Sequence, residues 1–179
     1  MANAIVQEVL EFVRPIRLQV ERTGIAEALH AAVSLADTKA ARGFIDVNVD
    51  VPAGLPEIQA DHHQLTQLFT NLLINAYEAM EGKGQVVITA STMQQDDGGE
   101  GREAVRIEVQ DNGPGMAPDV AEHVFDPFFT TKAQGSGLGL AIVRKIVDAH
   151  DGQIDLRTAP GSGTLIRVTL PVSVRRDTE

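Results

Sequence analysis

The sequence predicts an α+β fold: a two-layer α/β sandwich in which helices cover one face of a mixed, mostly antiparallel sheet. Two features of the 179 residues predict it. Stretches with apolar residues at every third or fourth position, as in helices, are interleaved with stretches in which apolar and polar residues alternate, as in strands. Short glycine-rich segments join several alternating stretches in pairs, which is typical of antiparallel hairpins. No repeat or second domain is indicated, and the length suffices for one substantial core.

The composition excludes several classes of site and partner. There is no cysteine, so the chain has no disulfide, no thiolate nucleophile and no cysteine-ligated zinc. No run of 18 apolar residues and no signal-peptide pattern occur, which predicts a cytoplasmic chain without membrane contact, whether or not a longer parent protein carries an anchor. The net charge of −10 argues against nucleic acid as a partner. Bound phosphates would then need local donors and a metal ion.

The beginning of the chain predicts two helices and a strand. Residues 4–13 carry a helical apolar stripe that Pro15 ends, and residues 16–22 alternate strictly, as a strand does. Thr23 is predicted to cap the next helix, whose apolar stripe covers residues 25–36.

A strand, a short extended piece and a long helix follow. Residues 44–51 alternate and predict a half-buried strand, and residues 58–60 predict the extended piece. Asp61 with Gln64 fits a capping box, and apolar residues at helical spacing continue from there until Gly82.

Two asparagines lie in the middle of this long helix. Asn71 and Asn75 are four residues apart, so they share one face. Asparagine is unfavourable inside a helix, which leaves two interpretations: an exposed polar edge, or a functional pair. In the second, one amide oxygen binds Mg²⁺ beside phosphate oxygens and the other residue faces the phosphates, because a neutral carbonyl oxygen suits a hard cation.

The rest of the chain predicts two hairpins, two helices and a lid. We expect strands at 85–93, 103–110, 152–158 and 163–170, helices at 118–124 and from 137 onward, a solvated hairpin loop at 94–102, a mobile lid at 126–136 and a flexible tail at 172–179.

Two glycine clusters frame the segment 111–139. Asp111 closes a predicted strand and is followed by Gly113 and Gly115, which suits a flat ligand lying on bare backbone. The second cluster stands where a helical pattern begins, so free N–H groups and the helix dipole there attract phosphate; it comprises Gly135, Gly137 and Gly139. Each cluster alone is usually a loop, and the G-x-x-x-x-G-K-[ST] motif is absent. Together the two clusters predict a nucleotide site.

Four segments in this order resemble the boxes of the ATP-binding domain of sensor histidine kinases, within the superfamily shared with gyrase, the large heat-shock chaperone and mismatch-repair ATPases. They are N71-L-L-I-N75-A, D111-N-G-P-G115, F125-D-P-F-F and G135-S-G-L-G139-L. The resemblance covers roughly residues 44–171, and the strings N-L-L-I-N-A-Y-E-A-M and P-F-F-T-T-K resemble the nitrogen-regulation subgroup. It implies the same two-layer sandwich that the patterns predict.

The resemblance implies ATP and Mg²⁺ as ligands and assigns roles residue by residue. Asp111 is expected to accept a hydrogen bond from the adenine amino group and Asn75 to bind Mg²⁺, while Asn71 faces the phosphates; the two asparagines are the expected catalytic residues. Phe125 and Phe128 are expected to seat the lid on the core. The full set of expected nucleotide-binding residues is Asn71, Asn75, Asp111, Gly113, Gly115, Met116, Lys132, Gly135, Ser136, Gly137, Leu138, Gly139, Leu140 and Thr164.

Position 71 distinguishes branches of the superfamily. In its ATP-hydrolysing members and serine kinases, a glutamate base stands four residues before the metal-binding asparagine. Here that place holds Asn71, whose amide cannot accept a proton. This favours a histidine kinase, with a clamp ATPase or a degenerate nucleotide-binding module as alternatives. Glu78 is a departure: many sensor kinases carry a phosphate-contacting lysine there, so that contact is expected to be absent.

The chain is expected to lack its own phosphoacceptor. None of its five histidines is followed by the pattern H-[ED]-x-[RK]-x-P, and His150 is expected to be an imidazolium at a helix C-terminus. The expected partners are therefore the dimerisation and phosphoacceptor domain of a parent kinase, and a response regulator. Residues 1–14 are expected to be the end of a dimerisation helix or an added leader, with a surface helix as the alternative. Residues 15–171 are expected to form the ATP-binding catalytic domain.

Overall fold

The computed structural model describes residues 2–96, 98–99, 101–133 and 135–173. The helices are α1 (Ala2–Val13), α2 (Ile25–Lys39), α3 (His62–Met80), α4 (Pro118–His123) and α5 (Gly139–Ala149). The strands are β1 (Glu21–Thr23), β2 (Phe44–Asp50), β3 (Ile58–Ala60), β4 (Lys83–Asp96), β5 (Gly101–Asp111), β6 (Gln153–Thr158) and β7 (Thr164–Pro171).

One mixed sheet organises the described part of the chain, with the strand order β2-β4-β5-β7-β6. β2 runs parallel to β4, and every other neighbouring pair in this sheet is antiparallel. β1 and β3 form a separate two-stranded antiparallel ladder. In the register of the main sheet, Asp111 at the end of β5 lies opposite Val86 of β4 and Thr164 of β7. The predicted mixed, mostly antiparallel sheet is thus confirmed. Asp111 lies at the end of its central strand β5.

Helices α2, α3 and α5 share one core with one face of this sheet. Ile88 of β4, Ile107 of β5 and Val168 of β7 are buried there, as are the apolar stripes of the three helices. The burial of each such side chain contributes roughly 1.5–3 kcal/mol. On the opposite face, Arg167 Nε donates to Glu108 Oε1 at 2.7 Å. An apolar face under helices and a polar outer face confirm the two-layer sandwich.

Helix α3 begins as the capping pattern predicts. Asp61 Oδ1 accepts a hydrogen bond from the N–H of Gln64 at 3.1 Å, which satisfies one of the free donors of the first turn and is worth about 1 kcal/mol. Leu65 and Phe69 on the same helix are fully buried. The helix ends at Glu81, whose φ of 53° is left-handed, one residue before the predicted stop.

Three predictions of local structure in the hairpins and strands are wrong in part. The strand predicted at 16–22 pairs only over Glu21–Thr23, because its partner β3 has three residues. Thr23 does not cap α2: its hydroxyl donates to Ala60 O at 3.1 Å, and the N-cap residue Gly24 makes no side-chain cap bond. The loop predicted at 94–102 is shorter, since the β4–β5 ladder continues to the pair Asp96 and Gly101.

His150 is buried and neutral rather than an imidazolium. Its side chain lies at the end of α5 with the residue 2% exposed, and Nδ1 donates to Ile146 O at 2.8 Å while Nε2 accepts from the N–H of Asp61 at 3.1 Å. Burial lowers the pKa of His150, more than the backbone bond to Ile146 and the charges of Asp61 and Asp151 raise it. The helix-dipole argument failed because it took no account of burial.

Helix α1 is amphipathic, as predicted, and lies against α5. Val9 and Phe12 pack against the core, whereas Ile5, Leu10 and Val13 are exposed. Across the described residues, no helix combines the length and the hydropathy that a bilayer span would need.

The segment assigned to the tail begins inside the sheet's hydrogen bonding. Val172 N–H donates to Glu103 O at 3.0 Å, and Val172 O accepts from Gln59 N–H at 2.8 Å. The predicted flexibility of residues 174–179 falls outside the described residues.

Candidate functional site

A buried carboxylate forms one end of the candidate site. Asp111 is 9% exposed at the end of β5, and its Oδ1 accepts a hydrogen bond from the N–H of Gly113 at 2.9 Å. Burial raises the pKa of Asp111, and backbone hydrogen bonds from Gly113 and Thr164 partly offset this by lowering it. A largely desolvated acceptor in a fixed strand is suited to recognising one donor in a fixed place.

The two glycines after Asp111 are needed for different reasons. A Cβ on Gly113 would lie 3.0 Å from Asp111 Oδ1 and 3.2 Å from Met80 Cγ, so its bare backbone leaves the carboxylate accessible. Gly115 has a φ of +68°, and a Cβ there would lie 1.9 Å from Ala159 O. The sequence interpretation assigned both glycines to the ligand, but Gly115 is required first by the packing of the neighbouring turn.

A threonine that the sequence analysis missed ties this end together. Thr158 Oγ1 accepts from the N–H of Met116 at 2.9 Å and donates to Gly163 O at 2.9 Å. It also lies 3.1 Å from the hydroxyl of Thr164, which is its partner across the β6–β7 hairpin. Thr158 could have been found from the sequence by assigning cross-strand partners in the predicted hairpin, because it is the partner of Thr164.

The other end of the site is built on α3. Asn71 Nδ2 donates to Gly139 O at 3.3 Å, which links the middle of α3 to the first turn of α5. Asn75 Nδ2 is buried and has no hydrogen-bond partner among the described residues, while its Oδ1 accepts from Lys132 Nζ at 3.2 Å. An unpaired buried donor costs about 1–3 kcal/mol, so this amide could bind an acceptor atom of a ligand.

Lys132 reaches this end from the segment predicted to be a lid. Its ammonium also forms an ion pair with Glu78, one turn beyond Asn75 on α3. Position 78, where many sensor kinases carry a lysine, holds Glu78, and the ammonium beside it comes from Lys132.

The glycine cluster before α5 is only partly at the helix N-terminus. α5 begins at Gly139, whose added Cβ would find only Asn75 Nδ2 within 4 Å, at 3.9 Å. Gly137 has a φ of +74° and packs against the backbone of Phe128, whose N–H donates to Gly137 O at 3.0 Å. Gly135 lies inside the lid, with its N–H 3.3 Å from Lys132 O.

Three residues around the second cluster have more specific roles than the motif indicates. The side chain of Leu138 is fully buried, so it anchors the loop, and its N–H donates to Ser136 Oγ at 3.3 Å. Ser136 in turn donates to Glu8 on α1. Leu140 packs against the core and is partly buried.

Of Phe125 and Phe128, which were expected to seat the lid on the core, only Phe125 contacts a helix of the core layer, α5. Phe128 is 63% exposed and has a φ of +65°, and its ring meets that of Phe12 on α1 edge-on at 6.3 Å. Phe125 carries the guanidinium of Arg144 over its ring at 5.7 Å. The prediction was wrong for Phe128, because it considered only the sheet and its helices as the surface to be covered, whereas Phe128 meets α1.

The arrangement fits a Mg²⁺-bound nucleotide. Met80, which lies beside Gly113, and Asn75 belong to the same helix, so α3 connects the end that holds Asp111 with the unpaired amide. Among the described residues, no group of three His, Asp or Glu side chains could hold a metal ion by itself. A cation at Asn75 Oδ1 would therefore need phosphate oxygens as its other ligands.

Comparisons with known proteins agree with this geometry. Residues 60–174 match the family model described as histidine kinase-, DNA gyrase B-, and HSP90-like ATPase. The sensor histidine kinase ZraS of Escherichia coli K12 is 37% identical over 174 residues, which are 97% of this chain and 36% of that protein. The sensory histidine kinase/phosphatase NtrB of Rhodobacter capsulatus is 43% identical over 129 residues, which are 69% of this chain and 36% of that protein.

Two solved structures share the fold. Full-length ShkA in complex with AMPPNP has a TM-score of 0.78 at 32% identity, covering 96% of this chain and 36% of that one. Histidine kinase ThkA in complex with the response regulator protein TrrA has a TM-score of 0.75 at 28% identity, covering 96% of this chain and 47% of that one. The chain thus spans about a third, 36%, of the length of each of the two curated relatives named above. By the family match and these relatives, the chain belongs to the histidine kinase-, DNA gyrase B-, and HSP90-like ATPase family, as the ATP-binding catalytic part of a sensor histidine kinase.

Proposed function

We propose that this chain binds ATP with Mg²⁺ and transfers the γ-phosphate to a histidine on a dimerisation domain of its parent kinase. That histidine would then pass the phosphoryl group to a response regulator. The observation that carries the proposal is Asn71. Its amide is committed to Gly139 of α5, so the position that holds a general base in the hydrolysing relatives offers no proton acceptor here. Transfer would then rest on positioning and charge neutralisation, and an imidazole acceptor brings its own nucleophile.

Asp111 is the proposed reader of the base. Its carboxylate would accept a hydrogen bond from the adenine amino group, beside the open backbone of Gly113. Guanine presents a carbonyl at that place and would leave the buried acceptor unpaired, at a cost of about 1–3 kcal/mol. Met116 and Thr164, joined through Thr158, would support the same end.

Asn75 is the proposed Mg²⁺ ligand. Its Oδ1 would bind the ion in place of the Lys132 ammonium, and bound Mg²⁺ would neutralise charge on the phosphates. The N–H groups of the first turn of α5, from Gly139 and Leu140, would face the phosphates with the positive end of the helix dipole. Ser136 and Lys132 would add side-chain donors from the lid, with Gly135, Gly137 and Leu138 shaping its backbone.

The proposed partner surface is on α1. Its exposed apolar residues form a stripe that the described part of the chain leaves uncovered: Ile5, Val6, Leu10 and Val13. This supports residues 1–14 as the end of a dimerisation helix, whose remaining helices would cover the stripe. The nitrogen-regulation subgroup and a cytoplasmic location are parts of the same proposal.

The test is phosphotransfer in trans. The chain is incubated with radiolabelled ATP, Mg²⁺ and the separately produced dimerisation domain of the parent kinase at high concentration, because no covalent tether raises their effective concentration. We expect label on that domain, stable in base and labile in acid as a phosphoramidate is, very slow hydrolysis by the chain alone, and no self-labelling. Asn75→Ala should abolish transfer while leaving metal-free ADP binding nearly unchanged.

The alternatives predict other products. A clamp ATPase would hydrolyse ATP rapidly without the acceptor, and a degenerate module would bind nucleotide but label nothing. An acid-stable phosphoserine on the acceptor would place the chain with the serine kinases of the superfamily and would mean that Asn71 had been misread.

A further inference from the structure

The lid reaches α3 at two points. Lys132 Nζ lies 3.2 Å from Asn75 Oδ1 and forms an ion pair with Glu78. Asn75 and Glu78 are three residues apart on one helix and therefore lie on the same face, about 4.5 Å apart along the axis. The side chains of Lys132 and Glu78 are 40% and 46% exposed, so the pair is partly open to solvent.

We infer that Glu78 is a positioning residue for Lys132, holding the lid ammonium beside the phosphate end of the site. The inference rests on the proposed nucleotide function and deepens it. Asn75 Oδ1 cannot be the lasting anchor of the ammonium, because a bound Mg²⁺ takes the same oxygen. Glu78 is the second anchor: when Asn75 turns to the metal, the ammonium stays within about one helical turn of it.

Glu78 is negatively charged, which is unusual for a residue beside the proposed binding site of the negatively charged phosphates. A lone carboxylate beside a triphosphate would repel it, so Glu78 is useful only while Lys132 neutralises it. Glu78 should therefore favour ATP binding when Lys132 is present and oppose it when Lys132 is absent. A residue with a purely structural role on α3 would act in one direction in both cases.

The experiment measures ATP affinity by calorimetry in the presence of Mg²⁺ for the wild type, Glu78→Gln, Lys132→Ala and the double variant. We expect Glu78→Gln to weaken binding roughly two- to fivefold, as loss of a rim ion pair does, and Lys132→Ala to weaken it about tenfold. Adding Glu78→Gln to Lys132→Ala should then strengthen binding, because it removes the uncompensated carboxylate. Both residues are partly exposed, and circular dichroism checks that each variant is folded.

Two controls separate this inference from a general effect. AMP binding tests the base end alone and should be the same in all four proteins, since AMP lacks the β- and γ-phosphates. Glu57→Gln removes another exposed ion pair, with Arg22 on β1, and should leave ATP affinity unchanged.

The outcomes distinguish this inference from the proposed function. If the wild type binds no ATP, the proposed nucleotide site itself fails. If the wild type binds ATP but Glu78→Gln has no effect, or changes affinity in the same direction with and without Lys132, Glu78 does not position the lysine and only the present inference is overturned.

Discussion

The two ends of the site are built in different ways. At the proposed base end, Asp111, Thr158 and Thr164 belong to adjacent strands. The side chains of Asp111 and Thr158 bond to backbone groups of the neighbouring turns, and the hydroxyl of Thr164 lies 3.1 Å from that of Thr158. At the phosphate end, Asn75 has a buried donor without a partner in the described residues, and Lys132 reaches it from a loop. At the first end the threonine hydroxyls and Asp111 Oδ1 are already bonded, whereas at the second end the buried Asn75 Nδ2 has no partner among the described residues.

This difference predicts where selectivity and motion reside. A rigid, desolvated acceptor discriminates between bases because it cannot adjust to the wrong one. A lid with an exposed lysine can open to admit a charged ligand and close on it. Substitutions at the base end should therefore act through fold and base affinity, and substitutions at the phosphate end through metal dependence and lid motion.

The largest expected effect is that of a methyl group at Gly115. The added methyl group of Gly115→Ala would overlap the carbonyl of Ala159, and the alanine would have to keep a positive φ. We expect the free energy of unfolding to fall by about 1–2 kcal/mol because of the strained φ and by about 1–3 kcal/mol because of the overlap. Gly161→Ala is the matched control, since its φ is +78° but nothing lies within 4 Å of the added Cβ. Urea unfolding should show only the backbone cost for Gly161→Ala, and equal losses for the two variants would mean that the base end is not rigid.

Asp111→Asn should have the next largest effect, on affinity rather than on the fold. The amide replaces an acceptor with a group that presents a donor to the adenine amino group, and we expect ATP affinity to fall at least about tenfold, or 1.4 kcal/mol. Calorimetry should show the same ratio of variant to wild-type affinity for ATP and for AMP, because both ligands carry the base. Wild-type affinity in a folded variant would remove Asp111 from the site.

The contacts around Asp111 were easier to predict from the sequence than those around Asn75, for a physical reason. Asp111 and Gly113 act through their own strand and turn, so local pattern suffices to find them. Thr158 was missed because its role depends on the hairpin register, which brings it opposite Thr164. The contact of Lys132 with Glu78 joins residues 54 positions apart, and no local pattern encodes it.

The same reason explains the errors in the fold. The sheet, its helices and the cap at Asp61 follow from periodicity and short-range chemistry, and they were predicted. Thr23 and His150 were misjudged because each bonds to a residue distant in sequence, Ala60 and Asp61 respectively. Phe128 was expected on the core but meets Phe12, whose helix was assigned to another domain.

A smaller effect is expected from acid, through His150. Its folded pKa is lowered, so the stability that its neutral form contributes is present above the ordinary histidine pKa of about 6.5 and is lost as pH falls below it. His150 links α5 to the cap of α3 through Asp61, so acid should loosen the helices that carry the phosphate end.

The measurement is the urea midpoint of unfolding as a function of pH. The midpoint should fall on acidification, and it should depend less steeply on pH in His150→Gln than in the wild type. His30→Gln, at an exposed position on α2, is the control that should keep the wild-type dependence. A pH dependence unchanged in His150→Gln would show that its protonation does not matter for stability.

The smallest expected effect is a change in motion at one end of the site only. The lid segment 126–136 has few apolar anchors, and Phe128, which meets Phe12 of α1, is still largely exposed. Its amide hydrogens should therefore exchange rapidly without nucleotide and slow on addition of ATP and Mg²⁺. Peptides that span residues 158–164 are the internal control, because the base end is held by the Thr158 hydrogen bonds in either state and should slow little. Equal slowing of both segments would indicate that the two ends tighten together. Unchanged exchange in the lid, at a nucleotide concentration that calorimetry shows to be saturating, would mean that this segment does not close over the phosphates, and Lys132 would then lose its place in the site.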